Sequence, residues 1–165
     1  MSIQPIITSL QQLLELHQSL LSISENKTEV LKKGDLEALQ ELLKTERKHV
    51  QAINKVEQQR IEQVTSWTVS QKIDLEAQNV TALLEVIDNA AEKEALEAVT
   101  TTLAEVLVKL KQQEQLNQQL TQQSLQFVQL SMNMIAPTIQ SINYSNKNKS
   151  SADNSSKRSV FDSKA

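Results

Sequence analysis

Apolar residues recur at three- and four-residue steps through three long stretches of the chain. From residue 3 to 33 the series is Ile3, Ile6, Ile7, Leu10, Leu13, Leu14, Leu20, Leu21, Val30 and Leu31. That spacing puts them on one face of a helix. Pro5 falls in its first turn, where a missing N–H costs little. Gly34 stops the helix, because glycine enters the left-handed conformation without strain. Asp35 is placed to cap a second helix, with Glu37 near its positive end. This second series runs through Leu36, Leu39, Leu42, Leu43, Val50, Ile53, Val56, Ile61 and Val64, and the helix is predicted to end near Trp67. Each helix is about 31 residues, roughly 46 Å at 1.5 Å per residue. A two-residue break at Gly34-Asp35 folds the two into an antiparallel hairpin.

Residues 67–79 mix Thr, Ser, Asp, Gln and Asn and read as a connector with at most a helical turn. A short helix is predicted from Val80 to about Ile87, capped by Asn79 or Thr81, with Leu83, Leu84 and Ile87 facing inward. A break near Asp88-Asn89 precedes the last helix, predicted from Ala91 to about Ala136. Its length is about 45 residues, or roughly 67 Å. Its first half is well patterned, with Leu96, Val99, Leu103, Val106, Leu107 and Leu110. Its middle is polar: nine of the 18 residues from Gln112 to Gln129 are Gln, which leaves only a thin stripe at Leu116, Leu120 and Leu125. Apolar residues then spread over much of the circumference. Pro137 removes the N–H that would bond Asn133 and crowds that turn, so the helix is predicted to kink or end there. After Tyr144 the stretch SNKNKSSADNSSKRS has only Ala152 as an apolar residue and reads as a disordered tail. The tail closes on a small apolar island, Val160-Phe161. The expected fold class is all-α: an antiparallel hairpin, a short helix and a long C-terminal helix in a three- or four-helix, coiled-coil-like bundle. It occupies residues 1–142, with the tail over 143–165.

Length alone points to a surface. The hairpin offers about 46 Å and the last helix about 67 Å, so some 14 residues find no hairpin to lie against. If packing starts near Ala91, the unpaired part begins beyond about Gln122, where the apolar end starts. The candidate binding residues are therefore Leu125, Phe127, Val128, Leu130, Met132, Met134, Ile135, Ile139 and Ile142. Apolar surface left in water costs about 25 cal/mol per Å², and such patches mark interaction sites. Flexible methionines suit a partner to which the surface must adapt. Three readings stay open here: a site for a partner protein, burial between two copies in a homodimeric coiled-coil scaffold, and ordinary core reached by a helix that bends back.

Composition narrows the function classes. The 165 residues contain one glycine, two prolines and no cysteine. A strand-and-turn fold needs more punctuation than that. There is no disulfide framework and no thiolate site, which suits a reducing cytoplasm. No apolar run is long enough to span a membrane, and the start MSIQPIITSL lacks the features of a signal peptide. The formal charge of −3 is uneven. Residues 143–165 carry five cations against two anions, or +3, which leaves −6 for the body. An acidic body with scattered aromatics does not suit nucleic acid. The segment from Gln112 to Ser145 holds no Lys or Arg, so it lacks the basic face of a membrane-surface helix.

The chemistry of an enzyme is not in the sequence. One glycine cannot build a phosphate loop, and no serine sits in a nucleophile elbow. Glu46 and His49 match half of a di-iron helix motif, but the only other histidine, His17, has Leu14 in the position of the second carboxylate. His17 lies between Leu13 and Leu20 and reads as a packing residue. No metal, cofactor or catalytic residue is expected. Lys27, Glu46 and Arg60 stand near the apolar stripes; they either form an ion-pair cluster fixing the hairpin or snorkel to the surface.

The order of these pieces resembles a known family. A Leu/Ile-rich first helix with Lys27 leads to the break KKGDLEAL at 32–39. A second helix follows with Glu46 and EQQRIEQV at 57–64, then TALLEVID at 81–88. The long helix LNQQLTQQSLQFVQLSMNMI at 116–135 leads to a Tyr and to a tail closing on VFDSKA at 160–165. Over nearly its whole length the chain resembles FlgN, the flagellar type III export chaperone. That resemblance implies a cytoplasmic, non-enzymatic chaperone, monomeric or weakly dimeric. It implies binding to the C-terminal helical regions of the hook-filament junction proteins FlgK and FlgL through the C-terminal part of the chaperone. It further implies docking to the export gate protein FlhA through Tyr144, after which Ser145-Asn146-Lys147-Asn148 stands where some members have a glycine-containing segment.

Overall fold

The computed structural model describes the backbone of residues 2–73 and 80–156 and the side chains as far as residue 136. Its elements in chain order are α1 (Gln4–Lys33), α2 (Leu36–Gln71), α3 (Val80–Val86) and α4 (Ala90–Ser156). The described residues are helices and short connections, in agreement with the all-α expectation. They divide into two units, Met1–Leu120 and Thr121–Ala165.

The hairpin turn follows the local chemistry. Gly34 adopts φ +70°, and its N–H donates to the Leu31 carbonyl at 3.2 Å. The N–H of Asp35 reaches back to the Val30 carbonyl, closing the end of α1. The Asp35 side chain then accepts from the Ala38 N–H at 3.0 Å, capping α2. α2 runs four residues past Trp67 before Lys72 turns it off in a left-handed conformation. The extra turn has a packing reason: Trp67 and Thr68 are both buried, so the helix cannot stop on them. The connector expected over 67–79 shrinks accordingly, and its residues 74–79, with the expected cap Asn79, lie outside the described residues. α4 starts at a cap that composition marked only as a break. Asn89 Oδ1 accepts from the N–H groups of Ala91 at 3.0 Å and Glu92 at 3.2 Å.

In the first unit α1 is the central helix. Its hydrogen bonds to α2 pair Ser9 with Gln63, Ser19 with His49 and Lys27 with Glu46, so the two run antiparallel. Bonds to α4 pair Ser2, just before α1, with Glu92, and Ser24 and Thr28 of α1 with Glu114 and Asn117, a constant offset near 90 residues. α1 and α4 therefore run parallel and in register. The core lies where all four helices meet. Ile3, Ile6, Ile7, Leu10 and Leu13 from α1 pack with Val64 and Trp67 from α2, Leu83 from α3, Ile87, and Leu96, Val99 and Leu103 from α4. Val64, Leu83 and Leu96 are fully buried, worth about 1.5–3 kcal/mol each.

The second unit begins at Thr121 within α4. The helix was expected to end or kink at Pro137; it does not end there, and its helical backbone continues through that position to Ser156. One proline deletes one backbone bond and crowds one turn. No glycine or second proline follows to stop propagation. The side chains of residues 137–156 and all of 157–165 lie outside the described residues; of the expected tail over 143–165, residues 143–156 have the helical backbone of α4.

Candidate functional site

The site is built on α4, and the register with α1 sets where it begins. The last α1 pairing observed on α4 is at Asn117, close to the end of the first unit at Leu120. Among the described residues of α4 the buried positions are Leu96, Val99, Leu103, Val106 and Asn117, all in the first unit. Of the candidate residues, Leu125 is 57% exposed, Phe127 71%, Val128 51%, Leu130 60%, Met132 65%, Met134 72% and Ile135 56%. Seven apolar side chains within eleven positions are thus left in water. Ile139, Ile142 and Tyr144 belong to the helical backbone of α4, but their side chains lie outside the described residues.

The electrostatics of this stretch are equally plain. From Gln115 to Ala136 there is no ionisable side chain. Gln, Asn, Ser and Thr fill the positions between the apolar ones, and Ser131 Oγ donates to the Phe127 carbonyl at 2.9 Å. Such a surface offers shape and apolar contact rather than ion pairing.

Immediately before it, the first unit ends in a buried polar layer. Lys27 Nζ lies 2.7 Å from Glu46 Oε1 and 3.0 Å from the Glu114 carboxylate. One cation thus ties α1, α2 and α4 together. Burial disfavours the Lys27 charge, but hydrogen bonds and attraction from Glu46 and Glu114 outweigh it and hold its pKa above the ordinary lysine value. Ser24 Oγ donates to Glu114 at 2.5 Å. Thr28 Oγ1 donates to Asn117 Oδ1 at 2.5 Å, and Asn117 Nδ2 donates to the Ser24 carbonyl at 2.9 Å. Gln113 Nε2 donates to Thr28 Oγ1. A satisfied network of this kind fixes register, because a slip of one turn strands several buried polar groups at once.

Of the three charges singled out from the sequence, Lys27 and Glu46 do pair across the hairpin, whereas Arg60 does not join them. Arg60 instead chelates Glu57, at 2.8 Å from Nε and 2.6 Å from Nη2, one turn away on α2. That bond to Arg60 holds the Glu57 carboxyl below its usual pKa. Glu114, Asn117, Ser24 and Thr28 were not picked out from the sequence. The available signal was Asn117, a polar residue at a position in phase with Leu96, Leu103 and Leu110. His17 Nδ1 lies 2.7 Å from the Leu13 carbonyl; His49 Nδ1 lies 2.9 Å from the Thr45 carbonyl and its Nε2 2.8 Å from Ser19 Oγ. Among the described residues no group of His, Cys, Asp or Glu is placed to hold a metal ion, and no helix is long and apolar enough to cross a membrane.

Comparison with known proteins agrees with this layout. The chain is 38% identical over 165 residues to an uncharacterized protein, YvyG, of Bacillus subtilis (strain 168), covering 100% of both chains. No solved structure matches. The family model described as FlgN protein matches residues 1–152, which takes in the hairpin, the polar layer and the exposed stretch of α4. On that match the chain belongs to the FlgN family of flagellar export chaperones.

Proposed function

We propose that the chain is a cytoplasmic chaperone for the hook-associated proteins FlgK and FlgL, which it binds by their C-terminal helical regions. It keeps them from assembling early and delivers them to the type III export gate. The observation that carries this reading is the exposure of seven uncharged apolar side chains between Leu125 and Ile135. A client helix destined for a filament is amphipathic and self-assembles if left bare. Laid against α4, its apolar stripe is covered, in the helix-on-helix mode of recognition.

The magnitude suits a carrier. Full burial of a large apolar side chain removes ~60–120 Å², the area equivalent of its transfer energy. Seven side chains at the observed exposures then offer about 400 Å², worth ~10 kcal/mol at 25 cal/mol per Å². Association consumes ~4–15 kcal/mol of such a gain. The result is a moderate complex that a gate can take apart. The proposed contacts extend to Ile139 and Ile142, and Tyr144 is the proposed docking residue for FlhA.

The test is calorimetric titration of full-length FlgK or FlgL into the chain and into its Phe127→Asp and Met134→Asp variants. Each variant removes an apolar contact and brings a carboxylate into the interface, a loss of about 3 kcal/mol or ~150-fold in Kd. Both positions are exposed in the free chain, so helicity is expected to stay unchanged. Client binding at wild-type strength by either variant would exclude the site.

A further inference from the structure

The exposed stretch of α4 carries two apolar seams. At 100° per residue, Leu125, Val128, Met132 and Ile135 form one line along the helix. Phe127, Leu130 and Met134 form another, roughly 145° away around the axis. The narrower arc between them is marked by Ser124 and Ser131, two small residues seven apart. The opposite arc is amide, with Gln122, Gln126, Gln129 and Asn133. An apolar stripe facing one packing partner is about 100° wide, whereas the two seams together span roughly 220°.

On the reading proposed above, we infer that the client presents two helices rather than one, and that α4 completes a three-helix bundle with them. A single helix covers one seam and leaves the other in water. A second copy of this chain contributes one α4 to the stretch and leaves the same surface bare. Two helices from one client cover both seams and meet over the small Ser124 and Ser131. The absence of charge from Gln115 to Ala136 adds a chemical constraint. The client helices meet α4 through apolar and amide or hydroxyl groups, and salt leaves the affinity unchanged to within about twofold between 50 and 500 mM.

The experiment places a photo-reactive phenylalanine analogue at Val128 in one full-length chain and at Leu130 in another. Each is irradiated with full-length FlgK, and the cross-linked peptides are mapped by mass spectrometry. The inference expects cross-links from Val128 to one helical segment of the client and from Leu130 to a different one. It also expects Val128→Asp and Leu130→Asp each to weaken binding at least tenfold with helicity retained. Cross-links from both positions to one segment, or a silent seam whose Asp variant binds normally, would overturn the two-helix inference while leaving client binding intact. Cross-links to a second copy of the chain would overturn it in favour of a homodimer. The absence of client binding under all conditions would overturn the chaperone reading and the inference with it.

Discussion

Replacing Lys27 by Met tests the polar layer that ends the first unit. The lysine side chain is 9% exposed, against 21% for Glu46 and 40% for Glu114. Met fills nearly the same volume and removes only the charge and its donors. Two charge-assisted hydrogen bonds are lost, worth about 1.5–3 kcal/mol each before the cost of burying the ammonium is recovered. The two carboxylates left behind are partly hydrated, which limits the penalty, so the net loss is expected at ~2 kcal/mol. For a unit of this size that lowers Tm by roughly 6–10 °C. Urea denaturation followed by circular dichroism at pH 7 measures it. Lys27→Met combined with Glu46→Gln and Glu114→Gln should recover most of the loss, because replacing a whole buried ionic group is close to neutral. A single variant within 0.5 kcal/mol of wild type, or a triple variant as unstable as the single, would refute the cluster as a structural tie.

Three further outcomes follow from the same structure. Because pairing raises the Lys27 pKa, its stabilising contribution is complete below the ordinary lysine range and disappears as pH rises through the folded value. Tm is therefore expected to fall above about pH 10 in the wild type and to stay flatter there in Lys27→Met, as followed by thermal melts across alkaline buffers. Gly34→Ala meets no atom within 4 Å but keeps a φ of +70°, so the cost is backbone strain alone, ~1 kcal/mol by chemical denaturation. Leu83→Ala opens a cavity beneath α3, where Leu83 is fully buried, and should cost ~3 kcal/mol by the same assay.

The hairpin was readable because its instructions are local. Gly34 and Asp35 act on neighbours three or four residues away, and one αL residue followed by one cap sets both helix ends. The start of the exposed stretch was readable from length: a hairpin of roughly 46 Å runs out near Gln122, and the second unit begins at Thr121. The end of α4 was not, because the cost of Pro137 is confined to its own turn. The polar layer was mostly hidden. Asn117 lies about 90 residues from Ser24 and Thr28 in sequence, and only the register brings them together. Whether Arg60 joined the cluster was left open by the sequence, because Glu57, three residues away, is reached by a rotamer change alone. The exposure of Leu125, Phe127 and Met134 came from a subtraction of lengths, whereas the division of that surface into two seams needed the helix phase.

Sedimentation of the full chain, alone and mixed with full-length FlgK, bears most directly on the central claim. The chain is expected to stay monomeric across micromolar concentrations and to gain the mass of one client only in the mixture, a gain absent in Phe127→Asp. A chain that dimerises alone, loses the dimer in Phe127→Asp and gains no mass with FlgK or FlgL would contradict it.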